Sequence, residues 1–316
     1  MSLDQDTLHQ LLDTIRRFVR NRLMPLEEQV ASTDQIPESV ISEMRELGLF
    51  GLTIPEEYGG LGLNTEEECK VAIELGYTSA AFRSVIGTNN GIGSQGLVMD
   101  GTDDQKENYL PRLASGEIIG SFALTEPNVG SDSANVQTKA EKDGDSYILN
   151  GTKRWITNAN IANLFTVFAR TDQSQKGSSG VSAFLVDANT PGISLSSKYK
   201  KMGQQGAHVC DVIFDNCRVP EVNIIGGPNN VNNGFKTAMK TLDRGRIHIS
   251  AFAVGCAKRL IEISTQFSLE REQFGQSISN FQMIQAMLAE SQTECYAAET
   301  MVCLLYTSDA ADEFMG

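Results

Sequence analysis

Phe122-Ala-Leu-Thr-Glu-Pro-Asn-Val-Gly-Ser-Asp132 is the stretch on which the reading of this chain turns. A short apolar run, Phe122 to Leu124, breaks at Thr125-Glu-Pro-Asn128, so the segment joins a strand to a loop. Thr125 offers a hydroxyl and flanking backbone N–H groups to the polar edge of an aromatic ligand. Gly130 and Ser131 offer backbone donors and a hydroxyl without bulk, as a pyrophosphate requires. Downstream, Trp155-Ile-Thr157 supplies a flat wall and a second hydroxyl. Either piece alone reads as a β-turn with an Asx cap at Asp132, or as a core tryptophan. Together they describe a holder for a flat, phosphate-bearing ligand.

The hydrophobic period changes on both sides of this stretch. Upstream, Leu8, Leu11, Leu12, Ile15, Phe18, Val19 and Leu23 follow the spacing of one buried helix face, and Pro25 is expected to end the helix. A second helix is expected over residues 38–47, stopped by Gly48. From 122 the pattern alternates. Tyr147-Ile-Leu149 leads into Asn150-Gly151, the strongest two-residue hairpin signal. Leu164, Thr166 and Phe168 alternate, as do Val181, Ala183 and Leu185, and Ile193, Leu195, Val212 and Phe214 belong to further short strands. After Gly234 helical spacing returns: Ile249, Phe252, Ala253, Cys256, Leu260 and Ile263 line one helix, and Phe281, Ile284, Met287 and Leu288 the next.

The expected fold is α+β: an N-terminal helical domain (residues 1–121), a middle antiparallel β-barrel domain (122–233) and an incomplete C-terminal helical bundle (234–302). Cys303-Leu-Leu-Tyr-Thr-Ser-Asp-Ala-Ala-Asp-Glu313 breaks the apolar pattern before it. It reads as the in-frame translation of a sequencing adapter, so residues 303–316 are expected to be non-native, with the natural chain continuing beyond Val302.

With 316 residues, 41% of them hydrophobic, the chain can fill the cores of two or three domains. A net charge of −14 argues against nucleic acid and against an anionic membrane surface. The cysteines at 69, 210, 217, 256, 295 and 303 show no metal spacing and read as buried reduced thiols. The three histidines have no ligating company, so no metal site is expected. The acidic N-terminus lacks an apolar signal region and no run reaches membrane-spanning length, so a cytoplasmic location without membrane insertion is expected. Gly91-Ile-Gly-Ser-Gln-Gly96 matches the dinucleotide fingerprint, but it follows a helical segment and no βαβ unit surrounds it. Close helix packing explains it better.

Further stretches make the loop specific. Ile54-Pro-Glu-Glu-Tyr-Gly-Gly-Leu-Gly62, the 122–132 loop, Asn150-Gly-Thr-Lys-Arg-Trp-Ile-Thr-Asn158, Lys201-Met-Gly203, Thr241-Leu-Asp-Arg-Gly-Arg246, and Arg271-Glu-Gln-Phe-Gly-Gln276 through Phe281-Gln282 stand in one family's order and spacing. Over residues 1–302 the chain resembles the acyl-CoA dehydrogenases, above all bacterial and short-chain members. The resemblance implies FAD contacts from Phe122, Ala123, Leu124, Thr125, Gly130, Ser131 and Ile156, with Trp155 packing on the isoalloxazine and Thr157 bonding near N5. Arg271, Phe274 and Gln282 match residues that reach FAD across a subunit interface. That implies a homo-oligomer, a dimer of dimers in the family's pattern. Ser131, Asp243, Arg244, Gly245 and Arg246 match substrate-facing positions at the start of a long helix. Plainer readings exist: Ser279-Asn-Phe-Gln282 is also a capping box, and Arg271 could sit on a solvated face.

The family's reaction removes a proton from Cα and a hydride from Cβ of an acyl-CoA thioester, and hands the electrons to an electron-transferring flavoprotein. Donors must stabilise the forming enolate, and a buried carboxylate with raised pKa must take the proton. No catalytic residue is found. Gly245 occupies the family's alternative base position, Glu126 reads as a structural residue of its loop, and the glutamate is expected beyond Val302. The chain as given is therefore expected to be inactive, with apolar helix faces exposed. The rivals are a flavin oxidase or monooxygenase on the same fold, and a non-catalytic flavin- or acyl-CoA-binding protein.

Overall fold

The computed structural model describes residues 3–307. Helices α1 (Gln5–Phe18), α2 (Glu27–Thr33), α3 (Glu38–Glu46), α4 (Thr65–Leu75), α5 (Ala80–Asn90), α6 (Gln95–Asp100) and α7 (Asp103–Ala114) come first. Strands β1 (Gly120–Ala123), β2 (Lys139–Asp143), β3 (Ser146–Thr157), β4 (Leu164–Arg170), β5 (Val181–Asp187), β6 (Ile193–Leu195) and β7 (Val209–Pro220) form one sheet. The long helix α8 (Gly234–Glu270), a small hairpin of β8 (Glu272–Gln273) with β9 (Gln276–Ser277), and helix α9 (Gln282–Thr307) complete the order. This is the expected α+β succession of helices, sheet and helices. The chain divides into two compact units, one of Glu28–Leu63 and Ala80–Gly245, the other of Met1–Glu27, Asn64–Ser79 and Arg246–Gly316.

The sheet belongs to the first unit. Its pairings β2–β3, β3–β7, β4–β5 and β6–β7 are antiparallel as expected, whereas β1 runs parallel to β4 and β2 meets β4 in parallel at Arg170. The cause is a strand used in two pieces. β1 and β2 lie end to end beside β4, and residues 124–138 leave the sheet between them and return to the same slot. Strands β4 and β5 are buried on both faces, so the one-sided alternation expected of them gives way. Phe165, Val167 and Ala169 join the core inside the curled sheet, while Leu164 and Phe168 join Leu97, Leu110 and Leu113 of the helices outside.

Asn150-Gly151 does not make the expected hairpin. It lies inside β3, at a shift of register between Leu149 and Gly151, and the turn from β2 to β3 falls at Gly144-Asp145. A Cβ at Gly151 would stand 2.5 Å from Thr138 Oγ1, so close approach of two strands, not a turn, requires this glycine. The dinucleotide-like glycines follow α5 with no strand before them, and a Cβ at Gly93 would meet the Thr88 carbonyl at 2.7 Å.

In the other unit Ile15, Val19 and Leu23 are buried as their spacing predicts. Pro25 does not end the helix, however. A wide π turn over Val19–Leu23 passes into a 3-10 turn holding Pro25, and helix resumes at Glu27. The looser turn accommodates the proline ring and its missing N–H where a regular helix would break. Helices α4 and α8 cross where Gly255 has no side chain: a Cβ there would lie 2.0 Å from the Ile73 carbonyl. The expected apolar face of α8 is only partly covered, with Phe252 buried and Ile249, Leu260 and Ile263 exposed. Helix α9 continues to Thr307, into the stretch expected to be non-native, and residues 308–316 lie outside the described residues. Cys69, Cys210, Cys217 and Cys295 are buried free thiols, and burial pushes Cys217 up to about 11. Among the described residues no helix is long and apolar enough to cross a membrane.

Candidate active site

The 122–132 stretch occupies the excursion between β1 and β2. Its neck is tied by Glu126, whose carboxylate accepts from Gln137 N–H at 2.7 Å and Thr138 N–H at 2.9 Å. Glu126 and Val129 exchange backbone hydrogen bonds around Pro127-Asn128, which makes the tight turn. Lys153, fully buried in β3, donates to Glu126 Oε1 at 2.7 Å and to the Leu124 carbonyl at 3.1 Å. Burial pushes the Lys153 ammonium down to about 8 against the pull of Glu126. Burial alone would raise the Glu126 carboxyl, but the Lys153 charge and the hydrogen bonds from Lys153 and Thr138 outweigh it and hold the group below its ordinary value. Glu126 is thus a structural anion, as its place in Thr-Glu-Pro suggests. Farther round, Arg170 donates to the carbonyls of Ala134 and Val136 at 3.0 and 2.9 Å, and to that of Ser179 at 2.8 Å. It pins the returning arm of the loop.

β3 runs beside the departing arm. Ser121 Oγ donates to the Thr157 carbonyl at 2.6 Å and Arg154 N–H donates to the Thr125 carbonyl at 2.8 Å, so Thr125, Trp155 and Thr157 are brought together. Asn158 then anchors the strand end to α5, donating to the Ser84 carbonyl and to Thr88 Oγ1 at 2.8 and 2.9 Å. Trp155 is no core residue: its φ is +57° and it is 60% exposed. Thr125 and Thr157 are half-buried, Ser131 is exposed, and none of their hydroxyls has a hydrogen bond among the described residues. A Cβ at Gly130 would have no neighbour within 4 Å. An open indole, free hydroxyls on the same tied segments and an unobstructed glycine in the loop suit a flavin and its pyrophosphate. The side chains of Phe122, Ala123, Leu124 and Ile156 face the cores, with Phe122 packed 4.8 Å from Phe168, so these residues offer a ligand mainly their backbone.

The other expected site residues belong to α8, the β8–β9 hairpin and α9. Helix α8 begins at Gly234, so residues 243–246 sit inside it rather than at its start. Arg244 donates to Gln95 Oε1 at 3.1 Å and to the Leu63 carbonyl at 3.4 Å. A side chain at Gly245 would meet only Ile92, at an ordinary 3.5 Å. Asp243 and Arg246 are exposed on the same helix. Arg271, Phe274 and Gln282 belong to the other unit and are exposed, Phe274 at 94% with φ +55° and its ring 6.2 Å from that of Phe281. The capping box at Ser279 and Gln282 is not formed. Gln285, not Gln282, turns back to the Ser279 carbonyl, at 2.9 Å. Sequence reasoning missed Arg170 and Asp211, and passed over Lys153 inside its own motif. Lys153 stands beside Arg154 after Asn150-Gly-Thr152, so nothing in the sequence marked it as buried.

Fold and site define a flavoprotein oxidoreductase. Family models for the N-terminal, middle and C-terminal domains of acyl-CoA dehydrogenases match residues 5–117, 121–217 and 232–312. The chain belongs to the acyl-CoA dehydrogenase family, whose FAD cofactor it shares. It is 40% identical to a probable acyl-CoA dehydrogenase of Bacillus subtilis over 290 residues, covering 92% of this chain and 76% of that one. Among solved structures it resembles a chain described with the electron transferring flavoprotein of Acidaminococcus fermentans, with a TM-score of 0.90, 37% identity, and 97% and 80% coverage. It also resembles the Bacillus anthracis acyl-CoA dehydrogenase complexed with FAD, with a TM-score of 0.86, 35% identity, and 95% and 50% coverage.

Proposed function

We propose that this protein oxidises the Cα–Cβ bond of an acyl-CoA thioester to the trans-2-enoyl-CoA and passes the electrons to an electron-transferring flavoprotein. The observation that carries the reading is the exposed Trp155 indole on a strand tied to the Thr125 loop, with the hydroxyls of Thr125 and Thr157 free. Likeness to a chain described with an electron transferring flavoprotein supports the partner. FAD, when bound, supplies the acceptor for the hydride that leaves Cβ. In this reading the 122–157 residues hold the cofactor, Trp155 gives it a wall, and Ser131 also meets the coenzyme A arm. Asp243 to Arg246 face the substrate. Arg271, Phe274 and Gln282 serve the flavin of a second copy, within a dimer of dimers in the bacterial cytoplasm.

The Cα proton needs a carboxylate in an apolar cleft. Glu126 is committed to the loop neck and Gly245 has no side chain, so the reading places the base beyond Val302 and makes the 316-residue chain inactive. The test has two arms. The purified chain is titrated with FAD, and binding with quenching of Trp155 emission is expected; a folded chain that takes up no flavin overturns the reading. Gly245→Glu, at a position where an added Cβ makes only an ordinary contact with Ile92, is then assayed with butyryl-CoA and an artificial electron acceptor. Turnover above the unaltered chain is expected, and equal turnover by both removes the missing-base argument.

A further inference from the structure

We infer that Asp211 positions the Trp155 indole by capping a bulge in β3. The inference rests on the reading of Trp155 as the flavin wall. Lys153 pairs with Val212 and Ile156 with Cys210, so Arg154 and Trp155 together oppose the single residue Asp211. Two residues against one is a β-bulge, which frees backbone groups from the ladder and re-aims side chains. Here the consequence is plain. Regular alternation would send Trp155 inward after Lys153 and turn Ile156 outward, yet Ile156 is 2% exposed and Trp155 60%.

The two freed amides are held by different neighbours. Arg154 N–H donates to the Thr125 carbonyl at 2.8 Å, whereas Trp155 N–H donates to Asp211 Oδ1 at 3.3 Å. Asp211 Oδ2 accepts from the Tyr199 hydroxyl at 3.0 Å and faces the Arg154 guanidinium at 3.4 Å. The Asp211 main chain is locked in turn, donating to Ser196 Oγ at 2.9 Å and accepting from Ser196 N–H at 3.0 Å. A bulky aromatic residue at positive φ persists only where its surroundings over-determine it. The carboxylate of Asp211, 7% exposed, does so from one side of the bulge, and the Thr125 carbonyl does so from the other. Without the carboxylate, Trp155 N–H and the Arg154 guanidinium lose their shared acceptor, and the bulge relaxes by turning the indole. Asp211 is therefore a positioning residue: it sets the angle between the indole and the Thr125 loop.

Trp155 is the only tryptophan of the chain, so its fluorescence reports on this geometry directly. Asp211→Ala and the near-isosteric Asp211→Asn are compared with the unaltered chain, first without FAD. Lower emission anisotropy and stronger acrylamide quenching are expected in the alanine variant. Intermediate values are expected for asparagine, which keeps one oxygen for Trp155 N–H. With FAD, the affinity of the alanine variant falls roughly tenfold, the factor set by one hydrogen bond to a charged acceptor. Unchanged anisotropy and quenching in both variants overturn the inference, even if thermal stability drops, because a merely structural role would leave the indole where it is. Should the alanine variant fail to fold by circular dichroism, the asparagine variant decides. The underlying reading fails separately, if FAD binds the unaltered chain without quenching Trp155.

Discussion

Around the 124–138 loop, buried polar groups hold the backbone. Glu126 closes the neck, Lys153 neutralises it, Arg170 grips the returning arm and Asp211 sets the bulge beside it. The second half of α8 and the length of α9 are built differently. There, Leu260, Phe267, Met283, Met287 and Tyr296 are each more than half exposed, and the close contact is the bare crossing at Gly255. In the first region Glu126, Lys153, Arg170 and Asp211 each have assigned partners, so geometry is specified at single residues. In the second, specification is distributed over a helical stripe. The contrast teaches where a substitution should matter: one atom suffices at the loop, whereas along the exposed stripe of the helices single side chains weigh little and volume at the crossing weighs most.

The largest effect is expected at Lys153. Lys153→Met leaves the Glu126 carboxylate buried without its cation, which costs about 3–5 kcal/mol. Urea melts of the variant should show that loss, and Glu126→Gln added to it should recover part of it, because the uncompensated charge is gone. A loss under about 1 kcal/mol would mean that the backbone donors alone carry Glu126, and the contrast would fail at its strongest point.

Next in size is Gly255→Ala. The added Cβ would stand 2.0 Å from the Ile73 carbonyl, so α4 and α8 must separate. Overpacking of this kind costs about 1–3 kcal/mol. Gly130→Ala, where a Cβ meets nothing within 4 Å, is its control and should leave the melting temperature in place.

These two sites also show what the sequence made legible. The 122–132 loop could be read because its turn residues and free hydroxyls lie close together in the chain. The helices could be read because apolar spacing survives in any window. The bulge at Trp155 could not. Asp211 reads as one outward polar residue between Cys210 and Val212, and only the register of β3 on β7 turns its carboxylate toward Trp155 N–H. The parallel slot shared by β1 and β2 is likewise a property of strands distant in sequence. Asn150-Gly151 misled because a local hairpin preference yielded to contact with Thr138. Pro25 misled because a π turn lets the helix pass it.

A smaller effect distinguishes the loop by pH. The Glu126 carboxyl is held below its ordinary 4.5, so the unfolded chain binds this proton more readily than the folded one. The stability it contributes is whole above that value and drains as pH falls through it toward the folded value. Unfolding free energies at pH 7 and pH 4 should therefore differ less in Glu126→Gln than in the unaltered chain. An equal acid loss in both would place the acid-sensitive group elsewhere.

The smallest effect on stability is expected on the helices. Leu260, Ile263 and Phe267 share one stripe of α8, at 64, 51 and 59% exposure. Side chains so exposed contribute little to the chain's own fold, and changes there stay within about 0.5 kcal/mol. Contiguous exposed apolar surface instead drives association between molecules. Leu260→Gln combined with Phe267→Gln should therefore leave the urea midpoint in place while reducing self-association in sedimentation runs. A loss of more than about 1 kcal/mol would mean that these side chains are covered in the folded protein, and would move α8 into the same class as the loop. Unchanged stability with reduced association would keep the two regions distinct, one held by assigned polar partners and the other by a stripe that stays apolar where it meets solvent.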